Sequence, residues 1–234
     1  MPNLLSVEDI HAFIGQLHIL QGVSFDVPAN SITVLLGRNG AGKTTTLRSI
    51  IGLNPPARGT IRYDGQPING QRPYDIARRG IGFVPDYRAI FKQLTIEENL
   101  KIAERENGDL ARKQAFIFDI FPDLKRLYHW PGGQLSGGQQ QMLAVARALV
   151  PDNRLLLIDE PSEGLAPVII EQMMAAIRQL SDRTTVLLVE QNFHVASQLA
   201  DHYVIIEDGR SVHSGQIADL VADQALITRY LSAA

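Results

Sequence analysis

Cysteine is absent from the 234 residues, which excludes a disulfide framework and any cysteine-ligated zinc. Excess positive charge is absent too. The formal net charge is -3 and lysines and arginines form no long run, so the electrostatic footprint of a nucleic-acid binder is missing. No apolar stretch approaches the ~18 residues that suggest a membrane span. The opening segment MPNLLSVEDI has neither the basic start nor the apolar centre of a secretory signal, so a cytosolic chain is expected. Internal repeats and low-complexity segments are lacking as well. What remains is an ordinary soluble composition, 45% hydrophobic and 20% charged, in a length that buries a real core as one large domain or two small ones.

Four short apolar runs carry the organisation: SITVLLG (31–37), GIGFVPD (80–86), RLLLIDE (154–160) and TTVLLVE (184–190). None alternates polar with apolar residues, so each predicts a strand of a parallel sheet covered on both faces. Helical periodicity lies between them, as in APVIIEQMMAAIRQLS (166–181), and the expected class is α/β with a doubly wound core. Two regions differ. GTIRYDGQPI (59–68) reads as a hairpin around Asp64-Gly65, and with the alternating N-terminal residues it predicts a small antiparallel sheet. Residues 95–150 offer helical patterns and no strand, and read as an inserted helical subdomain. A last hairpin is expected at Asp208-Gly209, after YVIIE.

GRNGAGKT fits the phosphate-loop pattern G-x-x-x-x-G-K-[ST] through Gly37, Gly42, Lys43 and Thr44. It directly follows the strand ITVLL and precedes the helix KTTTLRSIIGL, the context the pattern requires. Backbone N–H groups along Gly37, Arg38, Asn39, Gly40, Ala41 and Gly42, and on to Thr45, would curl around a β-phosphate, with the helix's partial positive charge behind them. Lys43 would reach the β- and γ-phosphates, and the Thr44 hydroxyl would sit on Mg2+. RLLLIDEP supplies the other half, bringing Asp159 and Glu160 to the sheet edge where α/β ligands bind. Asp159 would hold Mg2+, directly or through water, and Glu160 would polarise the attacking water as general base. Acids at a strand end are commonplace; downstream of a phosphate loop they read as part of one nucleotide site.

LSGGQQQMLAVARAL (135–149) is harder to place. Ser136 reads as a helix N-cap, Gly137 and Gly138 permit the turn, and Met142, Leu143, Ala146, Leu149 and Val150 form an apolar face. Taken alone, these residues need no further role. Yet Leu-Ser-Gly-Gly-Gln resembles the signature of the ATP-binding cassette family, and the order phosphate loop, LSGGQ, Asp-Glu matches that family over nearly the whole chain. The resemblance implies a P-loop NTPase core of RecA-like type with a mostly parallel sheet, a small antiparallel β subdomain and an inserted helical subdomain. It implies one domain over 1–234, with the core and β subdomain in 1–85 and 151–234 and the helical subdomain in about 86–150. It also implies ATP and Mg2+ as cofactors and head-to-tail pairing with a second cassette, in a homo- or heterodimer. Ser136, Gly137, Gly138 and Gln139 would then close on the γ-phosphate of ATP held by the partner.

EPSEGLAP (160–167), LTIEENL (94–100) and LLVEQN (187–192) are similar to the ATPases of branched-chain amino-acid, amide and urea importers. That resemblance implies an ATP-hydrolysing subunit, peripheral on the inner face of the plasma membrane. Its partners would be two integral membrane permease subunits and, indirectly, an external solute-binding protein, with no nucleic acid. A groove between residues 83–94 and the helical subdomain would take a permease coupling helix, with Tyr87 and Phe91 as an exposed aromatic pair. Cassettes of DNA repair or translation share this head, but the former split it with a long coiled coil and the latter carry two cassettes in one chain. Neither pattern is present.

Three positions depart from the family's pattern. Asp86 stands where a glutamine usually contacts Mg2+, Gln191 where a histidine usually contacts the γ-phosphate, and Ala166 where the D-loop usually has aspartate. Asp86 is expected to serve the metal, and Gln191 to position the γ-phosphate and the attacking water. The aromatic that stacks on adenine normally falls at Ile14, with Phe13 one residue early. Neighbouring strand residues face opposite ways, so Phe13 stacks on adenine only if the strand is locally shifted; a core phenylalanine is the alternative. His11, His18 and His194 show no ligand pattern and read as surface or structural residues.

Overall fold

The structure, a computed structural model, describes residues 2–181 and 183–231. Strands β1 (Asn3–Ile14), β2 (Leu17–Pro28) and β3 (Ile32–Leu36) lead into helix α1 (Lys43–Ile50). Then come β4 (Arg58–Tyr63), β5 (Gln66–Pro67), α2 (Pro73–Arg78) and β6 (Ile81–Val84). Helices α3 (Ile96–Ile102), α4 (Asp109–Ile120), α5 (Pro122–Arg126) and α6 (Gly137–Leu149) follow with no strand between them. The rest is β7 (Leu155–Asp159), α7 (Pro167–Ser181), β8 (Thr185–Val189), α8 (Phe193–Leu199), β9 (His202–Glu207), β10 (Arg210–Gln216), α9 (Ile217–Ala222) and α10 (Gln224–Tyr230).

Six strands form the main sheet in the order β10-β9-β3-β8-β7-β6. All neighbours are parallel except β10, which turns back on β9. The apolar runs do not alternate because both faces of this sheet are buried. In β7, Leu155 and Leu157 enter one core while Leu156 and Ile158 enter the other. β3 divides Leu35 from Val34 and Leu36 in the same way, as the two-residue period of a strand demands.

One core is closed by a second, antiparallel sheet in the order β2-β1-β4-β5, with Leu47 and Ile50 of α1 between the sheets. The other core is closed by α3 to α8, into which Leu143 and Val145 of α6 and Ile177 of α7 project. The α/β reading therefore holds, and so do both Asp-Gly turns. Asp64 and Asp208 adopt φ of 51° and 46°, the left-handed conformation that a tight hairpin asks of its first turn residue. The helix after the phosphate loop is shorter than its sequence predicts: it stops at Ile50, and Gly52 at φ 79° turns the chain away.

The loop between β6 and the helices is pinned from α3. Thr95 and Glu98 form a capping box, with Glu98 Oε2 accepting from Thr95 N at 2.8 Å. Buried Asn99 accepts from Phe91 N at 2.9 Å and donates to Phe91 O at 2.9 Å and Leu94 O at 3.1 Å. Among the described residues, no helix is long and apolar enough to cross a membrane.

Candidate active site

β3 delivers the chain to the C-terminal edge of the sheet, where residues 37–42 curl back before α1. Two glycines there are dictated by close neighbours. A Cβ on Gly37 would lie 2.1 Å from the Ile206 carbonyl oxygen, and one on Gly42 would lie 2.8 Å from a Leu20 methyl. From outside, Gly209 N–H donates to Ala41 O at 2.9 Å and holds the loop against the β9–β10 turn. Arg38, Asn39 and Gly40 form an exposed crest, while Ala41, Lys43 and Thr45 are buried. The Lys43 ammonium bends into the loop, donating to Gly37 O at 2.9 Å and Arg38 O at 3.2 Å, and lies 3.7 Å from Glu160 Oε1.

Asp159 closes β7 and is fully buried. Its Oδ1 accepts from the Thr44 hydroxyl at 3.1 Å, and its Oδ2 has no partner. Burial pushes the carboxyl up to about 6; the Thr44 hydrogen bond opposes that shift, and the nearby charges of Asp86 and Glu160 add to it. An unpartnered buried carboxylate oxygen beside a hydroxyl is a donor pair that a hard divalent cation could use. Among the described residues no three His, Asp or Glu side chains form a ready-made cage.

Glu160 sits at φ 45°, in the left-handed region that a glutamate seldom occupies, and its N–H donates to Val189 O at 3.0 Å. Burial raises its carboxyl, Lys43 works against the rise, and Glu163 adds to it by charge and by hydrogen bond. Asp86 is exposed after β6, with Oδ1 accepting from Tyr87 N at 3.0 Å, close enough for its charge to be felt by both Asp159 and Glu160. Gln191 is exposed beyond β8 and lines a cleft of about 320 Å3 with Glu160, Ser162, Glu163 and Glu190. Lys43, Thr44, Asp159 and Glu160 are thus brought together, with Asp86 and Gln191 on either side.

Ser136 caps α6. Its Oγ accepts from Gln139 N at 3.3 Å, and Gln139 Oε1 accepts from Ser136 N at 3.0 Å, a reciprocal capping box. A Cβ on Gly138 would meet an Ile169 methyl of α7 at 2.7 Å, and one on Gly137 would lie 3.3 Å from the Arg88 guanidinium. This helix start is held by Arg88 and α7, whereas residues 37–42 are held by β2 and β9. The two phosphate-type loops have separate neighbours.

Phe13 is 43% exposed, so the core alternative does not hold. Its ring stacks on His18, centroids 4.3 Å apart and planes 9° apart. The β1–β2 register does slip between Ala12 and Phe13, the local shift that a stacking role requires. The β2 side chain seen against the phosphate loop is nevertheless Leu20, at Gly42. His11 and His18 are coupled to each other: His11 Nδ1 lies 3.1 Å from His18 Nε2, and His11 Nε2 lies 3.2 Å from Asp9 Oδ1.

Two residues escape sequence reasoning, one at the site and one beside the loop after β6. Glu190 is buried between the loops that leave β7 and β8, accepting from Ser162 N at 3.3 Å and Asn192 N at 3.4 Å, and burial raises its carboxyl. Its one sequence signal is a carboxylate at the end of an apolar run, indistinguishable there from a solvated acid. Arg147, in the last turn of α6, donates to Ala89 O and lies over the Phe91 ring at 4.9 Å. Nothing local ties it to residues so far upstream.

A family model described as ABC transporter matches residues 20–163. The high-affinity branched-chain amino acid transport ATP-binding protein BraG of Pseudomonas aeruginosa is 40% identical over 97% of this chain and 99% of its own. The probable branched-chain amino acid transport ATP-binding protein LivF of Archaeoglobus fulgidus is 36% identical over 93% and 94%. A nucleotide-free ATP-binding cassette from an ABC transporter superposes with a TM-score of 0.85 over 97% of this chain and 98% of that one, at 24% identity. An ATP-binding subunit of an ABC transporter reaches 0.83 over 95% and 94%, at 28% identity. Fold and phosphate loop together define a P-loop ATPase. Within that class the chain belongs to the ABC transporter family, as an ATP-binding, ATP-hydrolysing subunit.

Proposed function

We propose that this ATPase energises uptake of branched-chain amino acids, or of a related small solute such as urea or an amide, as the cytoplasmic subunit of an importer on the inner face of the plasma membrane. The observation that carries the reading is full-length similarity to BraG and LivF, whose names give branched-chain amino acid transport. Residues 1–234 work as one ATPase domain, in which about 86–150 form the helical subdomain.

In this reading, residues 37–45 cradle the phosphates and Lys43 leaves its loop carbonyls for the β- and γ-oxygens. Thr44 and the unpartnered Oδ2 of Asp159 would hold Mg2+, and Asp86 would serve the same ion. When bound, Mg2+ neutralises charge on the phosphate oxygens. Glu160 orients the attacking water and takes its proton, a task that a raised carboxyl suits. Gln191 donates an amide N–H to a phosphate oxygen and accepts from the water with its carbonyl. Phe13, backed by His18, is the exposed aromatic on β1 offered to adenine.

Ser136, Gly137, Gly138 and Gln139 take the ATP of a second cassette. Their separation from residues 37–42 within the chain supports that assignment, and a dimeric cassette bound to ADP and Pi shares the fold at a TM-score of 0.80. The permeases dock in a groove of about 430 Å3 whose walls include Ile51, Tyr74, Phe83, Arg88 and Arg147, near exposed Tyr87 and half-covered Phe91. Reconstitution with the two permeases and the binding protein in proteoliposomes tests the whole reading. ATPase stimulation by branched-chain amino acids is expected. Stimulation by urea or an amide alone reassigns the solute, and none by any small solute overturns the importer.

A further inference from the structure

A carboxylate of α5 is hydrogen-bonded to the first turn of α6. Asp123 accepts from Arg126 Nη2 at 2.9 Å on Oδ1 and from Gln139 Nε2 at 3.1 Å on Oδ2. Gln139 passes the connection on, accepting from Ser136 N through Oε1 at 3.0 Å while its own N–H donates to Ser136 Oγ at 3.3 Å. These partners hold the Asp123 carboxyl below the ordinary carboxylate range, Arg126 first and Gln139 next.

The polarity of the chain of bonds has consequences. An ionised carboxylate only accepts, so it commits the NH2 end of the Gln139 amide to Asp123 and the oxygen end to Ser136. Without Asp123 the NH2 end loses its acceptor and only the Ser136 N–H still opposes a flip, whose product sets an NH2 group against that N–H, donor against donor. With the amide fixed, Ser136 N is satisfied. Ser136 Oγ is occupied as an acceptor, which leaves its hydroxyl proton to be given. The N–H groups of Gly137 and Gly138 open α6 and have no acceptor within the helix. One hydroxyl proton and two amide protons are therefore the donors left for an anion.

We propose that Asp123 is a positioning residue for the ATP site that Ser136, Gly137 and Gly138 complete: it fixes the Gln139 amide, and through it the Ser136 donor, without touching nucleotide. The inference rests on the function proposed above, in which this helix start closes on the partner's ATP. Asp123 can be changed without opening the core. Phe121 and Leu124 carry the packing there, while Asp123 borders a cavity of about 370 Å3 against α7.

The test is an ATP titration of the assembled transporter's ATPase, beside equilibrium binding of a fluorescent ATP analogue to the chain alone. Asp123→Ala should raise the half-saturating ATP concentration about three- to tenfold, the net worth of one hydrogen bond, with analogue binding unchanged. Asp123→Asn should recover most of the loss, because its amide oxygen still accepts from Gln139. Arg126→Ala should stay within about twofold of wild type, since an exposed ion pair contributes little. The double variant Asp123→Ala, Gln139→Ala should titrate like Gln139→Ala alone. A wild-type titration for Asp123→Ala, an additive double variant, or an Arg126→Ala that reproduces the shift overturns the proposal. Ser136→Arg separates the two layers. If it keeps wild-type activity, the trans-site reading falls and takes the proposal with it; if it is inactive while Asp123→Ala is unaffected, only the proposal falls.

Discussion

The Thr44 hydroxyl donates to Asp159 Oδ1 at 3.1 Å, joining residues 115 positions apart in the chain. That bond uses one carboxylate oxygen and leaves Oδ2 buried without a partner. An atom in that position is costly unless something binds it. Asp159→Asn should therefore raise the Mg2+ concentration for half-maximal ATPase by on the order of tenfold or more, as a neutral amide replaces an anionic oxygen ligand. Asp86→Asn should raise it less, because Asp86 is exposed. A metal requirement unchanged in both variants would remove these residues from the cation's surroundings.

Glu160 and Lys43 should separate chemistry from binding. Glu160→Gln is expected to keep ATP binding and lower turnover by about 10²–10⁴, the usual worth of a general base. Lys43→Ala should weaken nucleotide binding itself, since its ammonium is buried and turned into the loop. Steady-state ATPase and equilibrium binding, measured on the same preparations, check both. Wild-type turnover by Glu160→Gln would take the base assignment away.

The separate neighbours of the two loops lead to a prediction about assembly. In the slow-turnover variant Glu160→Gln, ATP should shift the cassette from monomer to dimer in light scattering, and adding Ser136→Arg should abolish the shift. A guanidinium-bearing side chain at this exposed N-cap would fill the space proposed for the partner's phosphate and remove the capping oxygen. An ATP-driven dimer that survives Ser136→Arg would mean that α6 does not meet the partner's nucleotide.

Gln191 cannot gain or lose a proton near neutrality, whereas histidine with a reference pKa of about 6.5 can. Gln191→Ala should slow hydrolysis and spare ATP binding. Gln191→His should bring in a pH dependence of turnover between about 6 and 7 that the parent lacks. Parental turnover by Gln191→Ala would make this residue a spectator at the strand end.

Glu190 predicts a pH effect on stability. Its folded carboxyl is raised by burial, so the folded chain keeps a proton that the unfolded chain gives up. The stability this contributes is complete below the ordinary carboxylate pKa of about 4.3 and is lost as pH rises through the raised value. Glu190→Gln stays neutral throughout but offers one acceptor where Ser162 N and Asn192 N use two oxygens. The variant should be less stable than wild type in mild acid, with the gap narrowing as pH rises. Urea midpoints from about pH 4.5 to 8 measure it, and a constant gap would show that Glu190 is ionised across the range.

Much of this molecule was legible in one dimension. The runs around Val34, Leu157 and Leu187 named buried parallel strands, because uniform hydrophobicity over five residues leaves no polar face for water. Gly37, Gly42, Lys43 and Thr44 announced a phosphate loop, because curling backbone N–H groups round an anion is a local act needing only nearby residues. Asp64-Gly65 and Asp208-Gly209 marked hairpins for the same reason. The tertiary structure alone decided the rest. It stacked His18 on Phe13, buried Glu190 between two loops, left Asp159 Oδ2 without a partner and tied Asp123 to Gln139. Each depends on desolvation, or on a hydrogen bond between groups that only folding brings within reach. Sequence spacing carries information about neighbours along one element; the charge state and orientation of a side chain are set by whatever lies across from it, and for these residues that is another element entirely.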